Sequence, residues 1–479
     1  MPRLFAAAVR FWSRLMEWPA VLATTIIVGW LIALSSVAPA PGALHVFDQP
    51  VYLSTAYDLV HLHRFTDGSA WATPQIDPTR PPGMARTPLY PAFLAGAALL
   101  DPVFRRSLEC YVQQSNAPHC PQSAPLPRLV QFMMIAAVYL MLWRIAARAS
   151  GSNRVGWLSL GLGLLAAPTL LRSVDSLMTE AVTLFFITAA TGAAVEAAKA
   201  RRPLRWLLVS GLMVGLTALA RPEFEYLVPA AVVAAALMIV HSRDRRRGLT
   251  MLVTFLLGCA VVLAPWVARN ALVLGKPALT SEGYSSLVLA PRVAFDLMTW
   301  RQYGLFYVCA LPDGTGIGSL LFGPGTCVPF GYDLRAGTFY DIGTTTFMET
   351  TTAAAGGRDH VSSYLLHHYV LTNPVWHAMV SIPMAIRGMW INHYWGLILG
   401  ILCVPLTARA LWRCDPGMLA VTLPGWFMLA LHAALSSNVV RYNLMLVIPF
   451  AMAGGVALDR ILQRTAPHSK ALLSSLFRQ

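Results

Sequence analysis

Charge is what this chain has least of: 22 acidic and 36 basic residues among 479, or 12% charged against 56% hydrophobic. An ordinary soluble domain carries roughly 25% charged residues, so the excess apolar surface requires lipid as its solvent. The bases outnumber the acids by enough to give a formal charge of +14. They sit in short clusters between apolar runs, where they act as orientation signals, and nucleic acid is not expected as a partner. Nucleotide-binding loops of the Walker or dinucleotide type are also missing, which argues against a nucleotide-linked substrate.

What is present is a series of apolar runs long enough to span a bilayer, at 19–38, 129–147, 155–171, 177–197, 204–220, 224–241, 249–268, 390–411, 417–436 and 439–459. They predict an all-α polytopic membrane protein with about ten crossings. With the N-terminus inside, each cytoplasmic turn then receives arginine or lysine: Arg3, Arg10 and Arg14; Arg144, Arg148 and Arg154; Lys199, Arg201, Arg202 and Arg205; Arg243, Arg245, Arg246 and Arg247; Arg409 and Arg413; Arg460 and Arg464. Both ends are therefore expected inside. The first run ends in APA, like a signal-peptide cleavage site, but the following runs need a partner crossing, so it is read as a retained helix. LYPAFLAGAALL at 89–100 is too short to span and is expected at the outer surface.

Two long segments, 39–128 and 269–389, then face outward, and connections of that length are usually functional. They divide the chain into an N-terminal module, 1–268, carrying the first outer loop, an outer loop region, 269–389, and C-terminal helices with a cytoplasmic tail, 390–479. Cys110 and Cys120 fall in the first outer segment and Cys309 and Cys327 in the second. Bridges Cys110–Cys120 and Cys309–Cys327 are the simplest pairing, with free thiols as the alternative.

The polar residues of chemical interest also collect on the outer side. Asp48 and Tyr52 are one helical turn apart at the start of the first outer segment. There Asp48 is either a base or a solvated N-cap before Gln49-Pro50. Asp58, Asp175 and Glu180 are further acidic candidates. His61 and His63 match no common metal spacing. Arg86 opens RTPLYP, whose prolines hold the guanidinium at head-group level beside Tyr90. Arg172, Arg221 and Arg441 lie at the outer ends of later runs. A ring of four arginines suits a lipid-linked phosphate or pyrophosphate, because a guanidinium donates paired hydrogen bonds.

The order of motifs, an outer Asp after the first run, then RTPLYP, DSLMTE, ALARPE, APWVARNALVLGKP and RYNLMLVIP, resembles that of the polyprenyl-phosphate-dependent GT-C glycosyltransferases. Within them it is most similar to the bacterial group with the protein mannosyltransferases and the lipid A aminoarabinose transferases. The resemblance implies a GT-C fold in the bacterial inner membrane with its active site on the periplasmic face. It also implies a polyprenyl-phosphate sugar donor and transfer with inversion to an envelope glycan, lipid or protein hydroxyl. Asp48 would then be the catalytic residue, Arg86 the basic position before LYP and Glu180 the acid of the T-E motif. The family often has a second acid where this chain has Gln49; no cofactor is firmly implied, and a divalent metal stays open. Two other readings compete: an O-antigen-ligase-like transferase, whose key residues would lie in the late outer loop, and a lipid or sugar transporter, which calls for inverted repeats and broken mid-membrane helices.

Overall fold

The computed structural model describes residues 19–37, 48–68, 79–113, 120–121, 123–241, 244–332 and 336–476. Among these residues there is no strand, as expected where the backbone must satisfy its own hydrogen bonds inside lipid. Each of the ten apolar runs is helical: α1 Pro19–Val37, α5 Pro125–Ser150, α6 Asn153–Leu164 with α7 Ala167–Asp175, α8 Glu180–Lys199, α9 Leu204–Ala220, α10 Leu227–His241, α11 Arg245–Leu274, α19 Tyr394–Trp412, α20 Pro416–Leu435 and α21 Val447–Leu476. The outer helices α2–α4 and α12–α18 fill the intervening numbers and are described below.

Seven of these helices are long and apolar enough to cross a bilayer, and the α6–α7 pair, bent by 55°, makes an eighth if counted as one span. The bend has a local cause: Pro168 lacks an N–H and is tolerated only in the first turn of a helix, so α7 has to start anew. The remaining two runs correspond to the shorter α9 and α10, which are separated by a 3-10 turn over Pro222–Tyr226. Proline again interrupts the ladder, so one of the expected spans begins a few residues later than its hydropathy suggests.

Small residues bring α9 and α11 together. A Cβ at Gly211 would collide with the Phe255 carbonyl, and one at Gly258 with the Leu208 carbonyl, so the two backbones touch as in small-xxx-small membrane contacts. The main core lies among α1, α5, α6, α8, α20 and α21, with Ile27, Ile135, Leu142, Leu160, Leu184 and Phe450 in it. At the end of the bundle away from the two long segments, Arg148 pairs with Glu196 and Arg154 with Asp459.

The first outer segment contributes α2 Gln49–His61, α3 Leu89–Leu100 and α4 Pro102–Gln113. α3 is the short LYPAFLAGAALL run; it packs against α2 and α4 through Tyr90, Leu94 and Ala98. The second outer segment holds α12 Glu282–Ala294, α13 Trp300–Cys309, α14 Gly314–Phe322, α15 Phe339–Thr344, α16 Thr346–Ala355, α17 Val361–Leu365 and α18 Pro374–Gly388. Arg292 fastens it to the membrane helices. This fully buried guanidinium donates to the Ala433 carbonyl (2.6 Å), the His377 carbonyl (2.9 Å), Ser381 Oγ (2.8 Å) and Asp296 (2.8 Å).

Both expected bridges are formed, Cys110–Cys120 and Cys309–Cys327, with Cα atoms 5.6 and 5.5 Å apart, and Cys259, Cys403 and Cys414 are free. Non-reducing peptide mapping should recover these two pairs. Labelling of all four bridged cysteines by a membrane-impermeant thiol reagent without prior reduction would contradict them. Reporter fusions after positions 110, 247, 320 and 479 should read out, in, out and in; an inside signal at 110 would mean that α3 spans.

Candidate active site

Asp48 sits at the start of α2, and its backbone carbonyl accepts from Val51 and Tyr52. Its carboxylate makes no capping bond to the helix, so the N-cap alternative is not what the side chain does. It faces Arg441 Nη2 at 3.2 Å and Arg86 Nη2 at 3.6 Å, and is one-third exposed. Proline at the second residue of α2 removes an amide that would otherwise call for a cap. Gln49, fully buried, donates to the Ser176 carbonyl and ties the start of α2 to the turn between α7 and α8.

One turn along α2, Tyr52 lies below the Arg86 guanidinium, 6.0 Å from its ring centroid, and meets Tyr90 edge to face at 5.1 Å. Tyr90 is fully buried and its hydroxyl accepts from Gln131 at 2.9 Å. Burial pushes that phenol well above its ordinary range. Tyr90 therefore braces Tyr52 and does not reach the open side of the site.

A second ionic group adjoins the first. Arg221, at the end of α9, pairs with Glu223 at 2.6 Å and with Glu180, the first residue of α8, at 3.7 Å. Tyr442 joins the groups, its ring lying 4.9 Å from the Arg221 guanidinium and 5.4 Å from that of Arg441. Burial would favour loss of the Arg221 proton, but Glu223 and Glu180 outweigh it and raise the group above its ordinary value. Burial likewise works to raise Glu223, yet Arg221 holds that carboxyl below the usual range. Glu180 Oε2 is buried without a hydrogen-bond partner. Three guanidinium groups and three carboxylates thus share one polar region at the outer ends of the helices. Tyr340, on α15 of the second outer segment, lies within electrostatic range of Tyr442, Arg441 and Asp48.

The other sequence candidates lie elsewhere. Asp58 is buried, accepting from Thr66 at 2.5 Å and pairing with Arg80 at 2.7 Å, which fastens the loop after α2. Arg172 is exposed on α7 and enters no ion pair among the described residues. The Asp175 backbone carbonyl accepts from Arg128. His61 pairs with Glu109 at 3.2 Å.

Sequence reasoning gave no role to the PWVARN motif, which turns out to clamp the first outer loop. Arg269 donates to the Gly83 carbonyl (2.6 Å) and the Phe65 carbonyl (3.2 Å), with Trp266 and Phe65 against its guanidinium. Trp266 and Asn270 hold the Leu279 and Ala278 carbonyls, and Ser281 N bonds the Met84 carbonyl, two residues before Arg86. Among the described residues, no three His, Cys, Asp or Glu side chains converge as metal ligands do. Asp48 faces cations, not a second acid. The described residues thus do not form a metal site.

Residues 126–268 match the family described as dolichyl-phosphate-mannose-protein mannosyltransferase. The match covers less than a third of the chain. It contains Glu180, Arg221 and Glu223, whereas Asp48, Arg86 and Arg441 lie outside it. No curated protein sequence matches the chain. Among solved structures, the chain is similar to the oligosaccharyltransferase AglB of Archaeoglobus fulgidus in complex with an inhibitory peptide and a dolichol-phosphate, at 11% identity and TM-score 0.49, over 95% of this chain and 52% of that one. It is also similar to the same organism's oligosaccharyltransferase in complex with zinc and sulfate, at 12% identity and TM-score 0.46, over 95% and 51%. A third similarity is to ArnT of Cupriavidus metallidurans bound to undecaprenyl phosphate, at 12% identity and TM-score 0.35, over 95% and 80%. The chain spans about half the length of the archaeal enzymes.

The matched segment supplies the buried half of the site, which gives it a stability signature. Arg221→Ala would leave Glu180 and Glu223 buried without their counter-ion, and should destabilise the protein by about 3–5 kcal/mol. Arg221→Lys should recover part of that loss, which a thermal melt in detergent would read. A carboxyl with a lowered folded value stabilises above its unfolded value and loses that contribution as the pH falls through the folded one. The Glu223 contribution should therefore be complete above the ordinary value of 4.5 and disappear only below it. Glu223→Gln should flatten that acid limb; an unchanged limb would locate the effect elsewhere.

Proposed function

We propose that the protein is an integral-membrane glycosyltransferase. It moves a sugar from a polyprenyl-phosphate donor to a hydroxyl on the extracytoplasmic side, in one inverting displacement. The observation that carries this reading is the Asp48 carboxylate between Arg86 and Arg441, next to the segment that matches the mannosyltransferase family. In this reading the donor phosphate enters from the bilayer and draws the two guanidinium groups toward itself, because each can donate paired bonds to phosphate oxygens. Asp48 is thereby released from its cations and its carboxylate is free to face the acceptor hydroxyl.

The acceptor oxygen attacks the anomeric carbon while Asp48 takes its proton. The bond from that carbon to the phosphate oxygen breaks, and polyprenyl phosphate leaves with its developing charge held by Arg86 and Arg441. Displacement from the face opposite the phosphate inverts the anomeric centre. The phosphate is a good leaving group and needs no protonating acid, unlike the leaving alcohol of a glycosidase. Arg221, Glu180 and Glu223 are assigned to the walls of the pocket, with the open oxygen of Glu180 facing a sugar hydroxyl. Bacterial envelope lipid, glycan and protein hydroxyls all fit an outward-facing site in an inner membrane. The placement of the reactive groups in the first outer loop favours this reading over an O-antigen-type ligase, and their position at the helix ends favours it over a transporter.

Transfer from defined polyprenyl-phosphate sugars in membranes, with mass spectrometry of the product, tests the reading directly. Asp48→Asn keeps the size and hydrogen-bonding reach of the side chain, and should lower kcat about a hundredfold or more with donor binding nearly intact. Arg86→Ala should weaken donor binding and slow turnover together. A well-folded Asp48→Asn protein turning over at the parent rate would place the base elsewhere.

A further inference from the structure

From Gly314 to Tyr332 the chain has no charged residue, although this stretch lies in the second outer segment. α14 buries Gly314 and Gly318; a Cβ at Gly318 would collide with Cys327 Sγ, so only glycine lets the helix lie flat on the Cys309–Cys327 bridge. The end of the helix beyond Gly318 is bare. Leu320 is 85% exposed, Leu321 63% and Phe322 54%, with Val328 at 45% just beyond the helix. Three consecutive large apolar residues turned outward mark a surface made to be covered.

The position of α14 says by what. Just before it, the Ala310 carbonyl accepts from Trp390 Nε1 at 2.9 Å and the Pro312 carbonyl from Tyr394 Oη at 3.1 Å. Tyr394 is the first residue of the apolar helix α19, which exposes Ile398 at 56% and Ile401 at 60% one and two turns farther along. α14 is thus stitched to the outer end of a lipid-facing span, beside a Trp and a Tyr of the kind that settle at the membrane–water boundary. A nine-residue helix is too short to cross the bilayer but long enough to lie in its surface. The absence of charge over this stretch fits acyl chains and gives nothing for a protein partner to be steered by.

We propose that α14 and the loop after it form an interfacial anchor, with Leu320, Leu321 and Phe322 set into the extracytoplasmic leaflet. The disulfide locks the hairpin, and the bonds from Trp390 and Tyr394 set its depth. The second outer segment therefore rests on the lipid surface at this edge.

The test uses the full chain in nanodiscs of phosphatidylcholine and phosphatidylglycerol, with Cys414→Ser to remove the exposed free thiol. A polarity-sensitive fluorophore is attached at Leu321→Cys and, for reference, at the exposed Thr372→Cys. The label at 321 should emit to the blue of the one at 372. Lipids bearing a nitroxide near the head group should quench it about threefold more strongly than the reference, as expected for insertion by about 5–10 Å. Iodide should quench it less. Equal iodide quenching at both sites without lipid quenching would overturn the proposal by showing a water-facing helix. A blue-shifted label quenched by neither would overturn it too, since a protein surface or a second copy would then cover the helix. Val328→Cys repeats the measurement if the first variant does not fold.

Discussion

One carboxylate shared by two guanidinium groups determines how this chain is put together on its outer side. Asp48 and Arg441 are 393 residues apart in sequence, and Arg86 comes from a third place, farther along the first outer segment. A charge at the edge of a bilayer is stable only with partners, so α2, the loop after it and the turn before α21 are obliged to meet. Gln49 on the Ser176 carbonyl and Tyr52 against Tyr90 hold the same meeting point from the apolar side. Tyr442 extends it to Arg221, Glu180 and Glu223. The helices set the depth of this group, and its charges set their mutual order.

Much of this was legible in the sequence because it follows from composition and period. The ten apolar runs all became helices, since lipid leaves a long apolar segment no other regular structure. The cysteine pairs were legible from their placement in the outer segments. Asp48, Arg86, Arg221 and Arg441 could be singled out because an ionisable group at a span's end needs a reason to be there. The bend at Pro168 and the 3-10 turn at Pro222–Tyr226 shifted boundaries that hydropathy alone places by average apolarity.

Other features had no local signal. Arg269 binds backbone carbonyls, Gly83 and Phe65, and a carbonyl looks the same in any residue type. Arg172 has the same composition of neighbours as Arg221 and was given the same role, but α7 turns it outward, and that rotation depends on the bend before it. Asp58 is an acid at the other end of α2 from Asp48, and it fastens Thr66 and Arg80. Tyr340 reaches the site only because the second outer segment folds back over it. In each case the information lies in tertiary placement, and no spacing along the chain encodes it.

Arg292 also shows how the second outer segment is joined to the membrane helices. Its donors are divided among the Ala433 carbonyl on α20, the His377 carbonyl and Ser381 on α18, and Asp296. Lifting the second outer segment off α20 would break the Arg292 bond to the Ala433 carbonyl and the His377 bond to the Ala434 carbonyl, while Asp296 would stay with Arg292. That seam is a point of attachment buried beneath the segment, far along the chain from the loop that carries Asp48. Under the proposed function, an acceptor too large for the seam would approach along the segment's other edges, so that the site has a preferred side of entry.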